Sequence, residues 1–131
     1  MSPGDEQAFS GVKEDRSGGD DAVRPQFPAT VPELGPSGWA AYRLHRDLIS
    51  LRRQHPWLHA ARTQVITLTN RQLVYDSTHE ADRLTIALNV GDSEYRHDVD
   101  DGSRRVLAGG AGAHMDGSRL VVPPHSWAII R

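Results

Sequence analysis

Thr63-Gln64-Val65-Ile66-Thr67-Leu68-Thr69-Asn70-Arg71-Gln72-Leu73-Val74-Tyr75-Asp76-Ser77 sets two runs rich in Val, Ile, Leu, Thr and Tyr on either side of a polar reversal. Residues of that kind fit a pleated, half-buried surface, and the short polar break reads as a hairpin turn at Asn70-Arg71. The same rhythm continues towards the C-terminus. Further strands are expected at 84–90, 95–99, 104–107, 119–122 and 127–130, with reversals at Asp101-Gly102 and Asp116-Gly117. Several short strands at close spacing predict an antiparallel β-sandwich or a barrel-like sheet.

Upstream of this region the period changes. Ala41, Leu44, Leu48 and Leu51 recur at spacings of three and four, which lines up one apolar stripe on a helix over 38–55. Tyr42 and Ile49 widen the stripe, and Arg43, Arg46, Asp47, Arg52 and Arg53 occupy much of the remaining surface. Ser37 is the expected N-cap. Pro56 stops the helix, because it pushes the residue before it out of the helical region. Arg52, Arg53 and His55 then complement the negative end of the dipole.

Residues 1–37 show no apolar periodicity and hold Gly18, Gly19, Pro25, Pro28, Pro32 and Pro36. They are read as a long irregular arm. The fold class is therefore mainly β: an antiparallel β-sandwich over 59–131, preceded by one amphipathic α-helix over 38–58 and an irregular N-terminal arm over 1–37.

With 131 residues, 37% of them hydrophobic, the chain can bury one ordinary core. A formal net charge of −2 gives no electrostatic reason to expect nucleic acid or an anionic membrane as partner. There are no cysteines, which excludes disulfides, thiolate zinc sites and thiol nucleophiles. The polar, acidic start lacks the features of a secretory signal, and no apolar run approaches the roughly 20 residues of a membrane span. A cytoplasmic location is expected.

Three stretches together resemble the end of an α-amylase superfamily glycoside hydrolase. Gly4-Asp5-Glu6-Gln7-Ala8-Phe9 is similar to the segment that follows the eighth strand of the family's catalytic barrel. The run from Tyr42 through Arg52-Arg53-Gln54-His55-Pro56-Trp57-Leu58 resembles the last barrel helix and its His-Pro ending. Leu84-Thr85-Ile86-Ala87-Leu88-Asn89-Val90, with Val122-Pro123-Pro124-His125-Ser126-Trp127-Ala128-Ile129-Ile130, is similar to central and final strands of the C-terminal β-sandwich.

The resemblance implies a non-catalytic C-terminal portion of an enzyme acting on α-glucans, with the sandwich stabilising the barrel. It also implies that Asp20 and Arg24 contact sugar hydroxyls, by likeness to an Asp-Pro-x-x-Arg loop; Asp21 stands here where the family has Pro. The family's catalytic carboxylates come from loops after earlier barrel strands. No catalytic residue, metal or cofactor is therefore expected in this chain, and a truncated fragment is the expected status. Expected partners are the catalytic barrel of a parent enzyme, self-association through the helix, or an α-glucan.

Other constellations carry less. Asp5 and Glu6 are adjacent, so on a strand they would face opposite sides. Asp98, Asp100 and Asp101 lack the spacing and the distal Glu of a calcium loop. His55 and His59 are separated by Pro56, which breaks the helix that would align them on a metal. His125 is read as a turn histidine, and no Gly-x-Ser-x-Gly elbow supports a serine nucleophile. Trp39, Trp57 and Trp127 could stack on sugars, but flanking the helix and lying in a strand they are read as packing residues.

Overall fold

The computed structural model describes residues 8, 11–12, 14–19, 29–30, 33–100 and 103–131. The chain divides into two compact units, Met1–His55 and Pro56–Arg131.

In the first unit the described helix is α1, Pro36–Gln54. It starts two residues earlier than the sequence suggests. Gly35 is the N-cap and makes no side-chain cap bond, so Ser37 lies inside the first turn and does not cap. Pro36 explains the shift. Its fixed φ suits the first helical position, and the N–H it lacks would have had no partner there. The helix stops at His55, as Pro56 requires, and His55 Nδ1 donates to the Leu51 carbonyl at 2.8 Å. Only Gly38 is buried along α1. Leu44 and Ile49 are exposed and Leu48 and Leu51 half-buried, so the apolar stripe keeps much of its surface in water.

The second unit opens with a 3-10 turn, Pro56–His59, that packs on the second strand. Among the described residues eight strands follow: β1 Arg62–Leu68, β2 Gln72–His79, β3 Asp82–Asn89, β4 Tyr95–Asp98, β5 Val106–Gly109, β6 His114–Asp116, β7 Arg119–Val122 and β8 Ser126–Ile130. They form two antiparallel sheets, one of five strands in the order β1-β2-β3-β8-β5 and one of three in the order β4-β7-β6. The mainly β fold class is as read from the sequence.

Two differences stand out. The strand expected at 104–107 runs over Val106–Gly109, with a bulge between Val106 and Ala108. His114–Asp116 is an additional strand, paired with β7. Of the three expected reversals, Asn70-Arg71 and Asp116-Gly117 are turns, the latter using Gly117 at φ 59°. Asp101-Gly102 lies outside the described residues. A hairpin at Glu80-Ala81 joins β2 to β3, with Glu80 at φ 53°, a left-handed conformation that few non-glycine residues adopt.

Strand alternation sorts the larger sheet into two faces. The register pairs Val74 with Ala87 and Ala87 with Ala128, so these share the inner face. They pack with Ile130 against Leu120 and Val122 of β7 and Val99 beyond β4, and Tyr95, Val106, Ala113 and Met115 close the margins. This is the core. Burying each large aliphatic residue contributes roughly 1.5–3 kcal/mol.

Candidate functional site

Polar groups concentrate at two places in the sandwich. The first is Asn89, the last residue of β3 and fully buried. Its Nδ2 donates to the carbonyls of Ser93 at 2.8 Å, Pro123 at 3.0 Å and Val122 at 3.2 Å. Its Oδ1 accepts from Gly91 N–H at 3.0 Å and from Gln72 Nε2 at 3.3 Å. One side chain thus fastens β3 to the following loop and to the end of β7 in the other sheet. A Cβ at Gly91 would come within 3.2 Å of Asn89 Oδ1, so the loop approaches as closely as glycine allows.

The second is a charged cluster built on the inner face. Asp76 of β2 is 7% exposed and accepts from Thr85 Oγ1 at 2.5 Å. Arg104 Nη1 donates to the same hydroxyl at 2.7 Å. Arg83 Nε lies 2.6 Å from Asp76 Oδ2 but does not aim its hydrogen at it, and among the described residues it has no other hydrogen-bond partner. Asp100 stands 3.5 Å from Arg83 Nη1. His97 of β4 stacks beside Tyr95, with ring centroids 6.3 Å apart. Burial lowers its pKa below the ordinary 6.5 and Arg83 adds to this, against the pull of Asp76, Asp98 and Asp100. A buried carboxylate must be paired to be tolerated, and Asp76 is. The cluster ties β2, β3 and the approach to β5 together.

A third feature is apolar. The outer face of the five-stranded sheet carries Val65, Leu68, Leu73, Leu88 and, just beyond β3, Val90. Val65 is 54% exposed, Leu68 71%, Leu88 37% and Val90 64%. A shallow open hollow of about 120 Å³ lies here, lined by Leu73, Leu88, Val90 and the 69–72 turn.

The residues singled out in the sequence fare unevenly. Asp20, Arg24, Asp5, Glu6 and Asp101 lie outside the described residues. Asp98 is bound to Arg119 at 2.7 Å, and through that bond it holds the guanidinium above its ordinary range. Among the described residues no group of three His, Asp or Glu could hold a metal ion. His125 sits in the turn before β8 at φ 49°, yet its Nε2 pairs at 3.0 Å with Asp92 of another loop. Trp57 and Trp127 are half-buried. Trp39 is 47% exposed and meets Tyr42 edge-on, with centroids 5.9 Å apart, so it is a surface aromatic and not a core residue. Asn89 and Asp76 were missed as organising residues. A polar residue inside a strand pattern is the signal that could have marked both.

No protein-family model matches this sequence. No curated protein matches it either. Solved structures do. The fold is shared with enzymes of the α-amylase family. The Nostoc punctiforme debranching enzyme in its native form is similar at a TM-score of 0.59 and 24% identity, over 79% of this chain and 24% of that one. In its acarbose-soaked form the figures are 0.57 and 27%, over 70% and 20%. A mutant of the trehalulose synthase MutB, from crystals soaked with trehalulose, gives 0.59 and 20%, over 69% and 17%. The chain spans about a quarter or less of the length of these enzymes. No helix among the described residues is long and apolar enough to cross a membrane.

Proposed function

We infer that this chain is the non-catalytic C-terminal portion of an α-amylase-type glycosidase acting on α-glucans, and that its sandwich stabilises a catalytic barrel. The observation that carries the reading is the exposed part of the outer face of the five-stranded sheet, with Leu68, Leu88 and Val90 open to solvent. Contiguous apolar surface of this kind marks a place where another folded body belongs. The fold likeness to α-amylase-family enzymes supports taking a catalytic barrel of that kind as the body. The chain by itself is inactive, because hydrolysis needs two carboxylates about 5–5.5 Å apart across the scissile bond in a retaining enzyme, and in this family they come from the barrel. Asp20 and Arg24 remain candidate sugar contacts.

The test is to add the purified chain to a separately expressed α-amylase-type barrel from the same source. The barrel's melting temperature should rise, and Leu88→Lys should abolish the rise. No rise with the unaltered chain, or turnover of maltooligosaccharides by the chain alone, rejects the reading.

A second reading, a carbohydrate-binding module, has one observation in its favour: the exposed Trp39–Tyr42 pair on α1. It predicts that maltooligosaccharides quench tryptophan fluorescence and that Trp39→Ala removes the quenching. A flat titration rejects it.

A further inference from the structure

Sheet edges present unpaired N–H and C=O groups, and stable proteins blunt them. Three of the four edges described here are blunted. β6 has three residues and ends on Asp116. β4 has four, carrying Arg96 and Asp98, both engaged in ion pairs. β5 has four and is bulged between Val106 and Ala108.

The fourth edge, β1, is bulged like β5, at Ile66, but differs in length and charge. It runs for seven residues, is exposed everywhere except the half-buried Thr67, and carries no charge from Thr63 to Leu68. Its composition of Thr, Val, Ile and Leu favours sheet pairing.

We propose that β1 is a strand-addition edge, occupied by β1 of a second copy of this chain running antiparallel about a two-fold axis at Val65. The occupant must be an uncharged extended segment with free backbone N–H groups. Residues 25–36 cannot supply it, because Pro25, Pro28, Pro32 and Pro36 each lack the donor. β1 itself meets the requirement.

Self-pairing also satisfies the faces. Against β2, Thr63, Val65 and Leu68 are partnered by Ser77, Tyr75 and Leu73, and Gln64 and Thr67 by Asp76 and Val74; Ile66 is the bulge. Keeping Ile66 out of register towards the new partner sets Val65 opposite Val65, Gln64 opposite Thr67, and Thr63 opposite Leu68. Every facing pair then lies on one side of the sheet, as cross-strand pairing demands. The only charge, Arg62, stays at the end of the ladder and meets no like charge. The result is a continuous ten-stranded sheet in which the exposed Val65 side chains cover one another.

Cross-linking tests the register directly. The chain has no cysteine, so one introduced thiol reports only on itself. Facing Cα atoms in an antiparallel pair are about 4.5–5.5 Å apart, within disulfide reach. Val65→Cys should form a covalent dimer under mild oxidation. Leu68→Cys, several residues from its symmetry mate, should not. Sedimentation equilibrium of the unaltered chain should show a dimer.

Val65→Lys sets two like charges face to face and should weaken the dimer by about tenfold or more. Its circular dichroism should be unchanged, since Val65 is already exposed. Leu88→Lys, two strands in from the edge on the same face, should leave the dimer intact. A monomer at every concentration, a dimer indifferent to Val65→Lys, loss of the dimer with Leu88→Lys, or cross-linking at 68 in place of 65 each overturns the proposal. Should Val65→Lys fail to fold, the pair of cysteine variants decides.

Discussion

The two faces of the five-stranded sheet are made by the same strands and differ in what covers them. On the inner face Val74, Ala87, Ala128 and Ile130 have no accessible surface, because the three-stranded sheet is covalently part of the same unit and closes over them. On the outer face Leu84 and Ile129 are buried, whereas Val65, Leu68, Leu88 and Val90 are just as apolar and remain open. Apolar side chains therefore stand on both sides, and the difference lies in how much of each face the unit itself covers. A sequence can state that a surface wants to be buried; it cannot supply a body that lies outside it.

The comparison can be broken most forcefully from the inside. Leu120 is completely buried between the sheets. Leu120→Ala removes three carbons and leaves a cavity, and should cost about 3 kcal/mol of unfolding free energy, read from urea midpoints. A loss below about 1 kcal/mol would mean that the inner core is no better packed than the outer face.

Asn89→Leu should follow, at about 2 kcal/mol, because it strands several buried backbone groups that Asn89 now satisfies. Gel filtration should show a larger apparent radius as the loop after β3 is released.

The charged end of the interior adds a dependence on acid. His97 titrates below 6.5 in the fold and at about 6.5 when unfolded. Above 6.5 the ring is neutral in both states and stability does not respond to it. As pH falls from 6.5 through the lowered folded value, the unfolded chain binds the proton first and stability drops. Thermal melts should therefore move down across that window, and His97→Gln should flatten the slope there without changing the melt at neutral pH.

The smallest effect belongs to the outer face. Val90→Ser should change unfolding free energy by no more than about 0.5 kcal/mol in the isolated chain. A large loss would show that this face is already covered.

Much of the architecture was legible from residue pattern. The i, i+3, i+4 recurrence of Ala41, Leu44, Leu48 and Leu51 marked α1, and Pro56 marked its end. β7 was read at its observed bounds and β1, β2, β3 and β8 within two residues of theirs. What failed had little local signal. His114–Asp116 is too short for alternation to register, and it is a strand because Met115 finds Leu120 across the ladder. β5 was displaced because the pattern followed Arg104 and Arg105. Arg105 does exchange backbone bonds with Arg131 at 2.9 and 3.1 Å, but the ladder carries on to Gly109. Ser37 looked the better cap until Pro36 took the first helical position.

Sites divide in the same way. The candidate sugar contacts Asp20 and Arg24 came from a motif, and a motif is contiguous. Asp76, Thr85 and Arg104 come from three segments, and Asn89 meets Val122 and Pro123 more than thirty residues away. Local spacing determined helix, strands and most of the turns, because these depend on neighbours a few residues apart. Strand order, the buried polar hubs and the open part of the outer face were decided only by tertiary structure, because each depends on which distant segments the folded chain brings into contact.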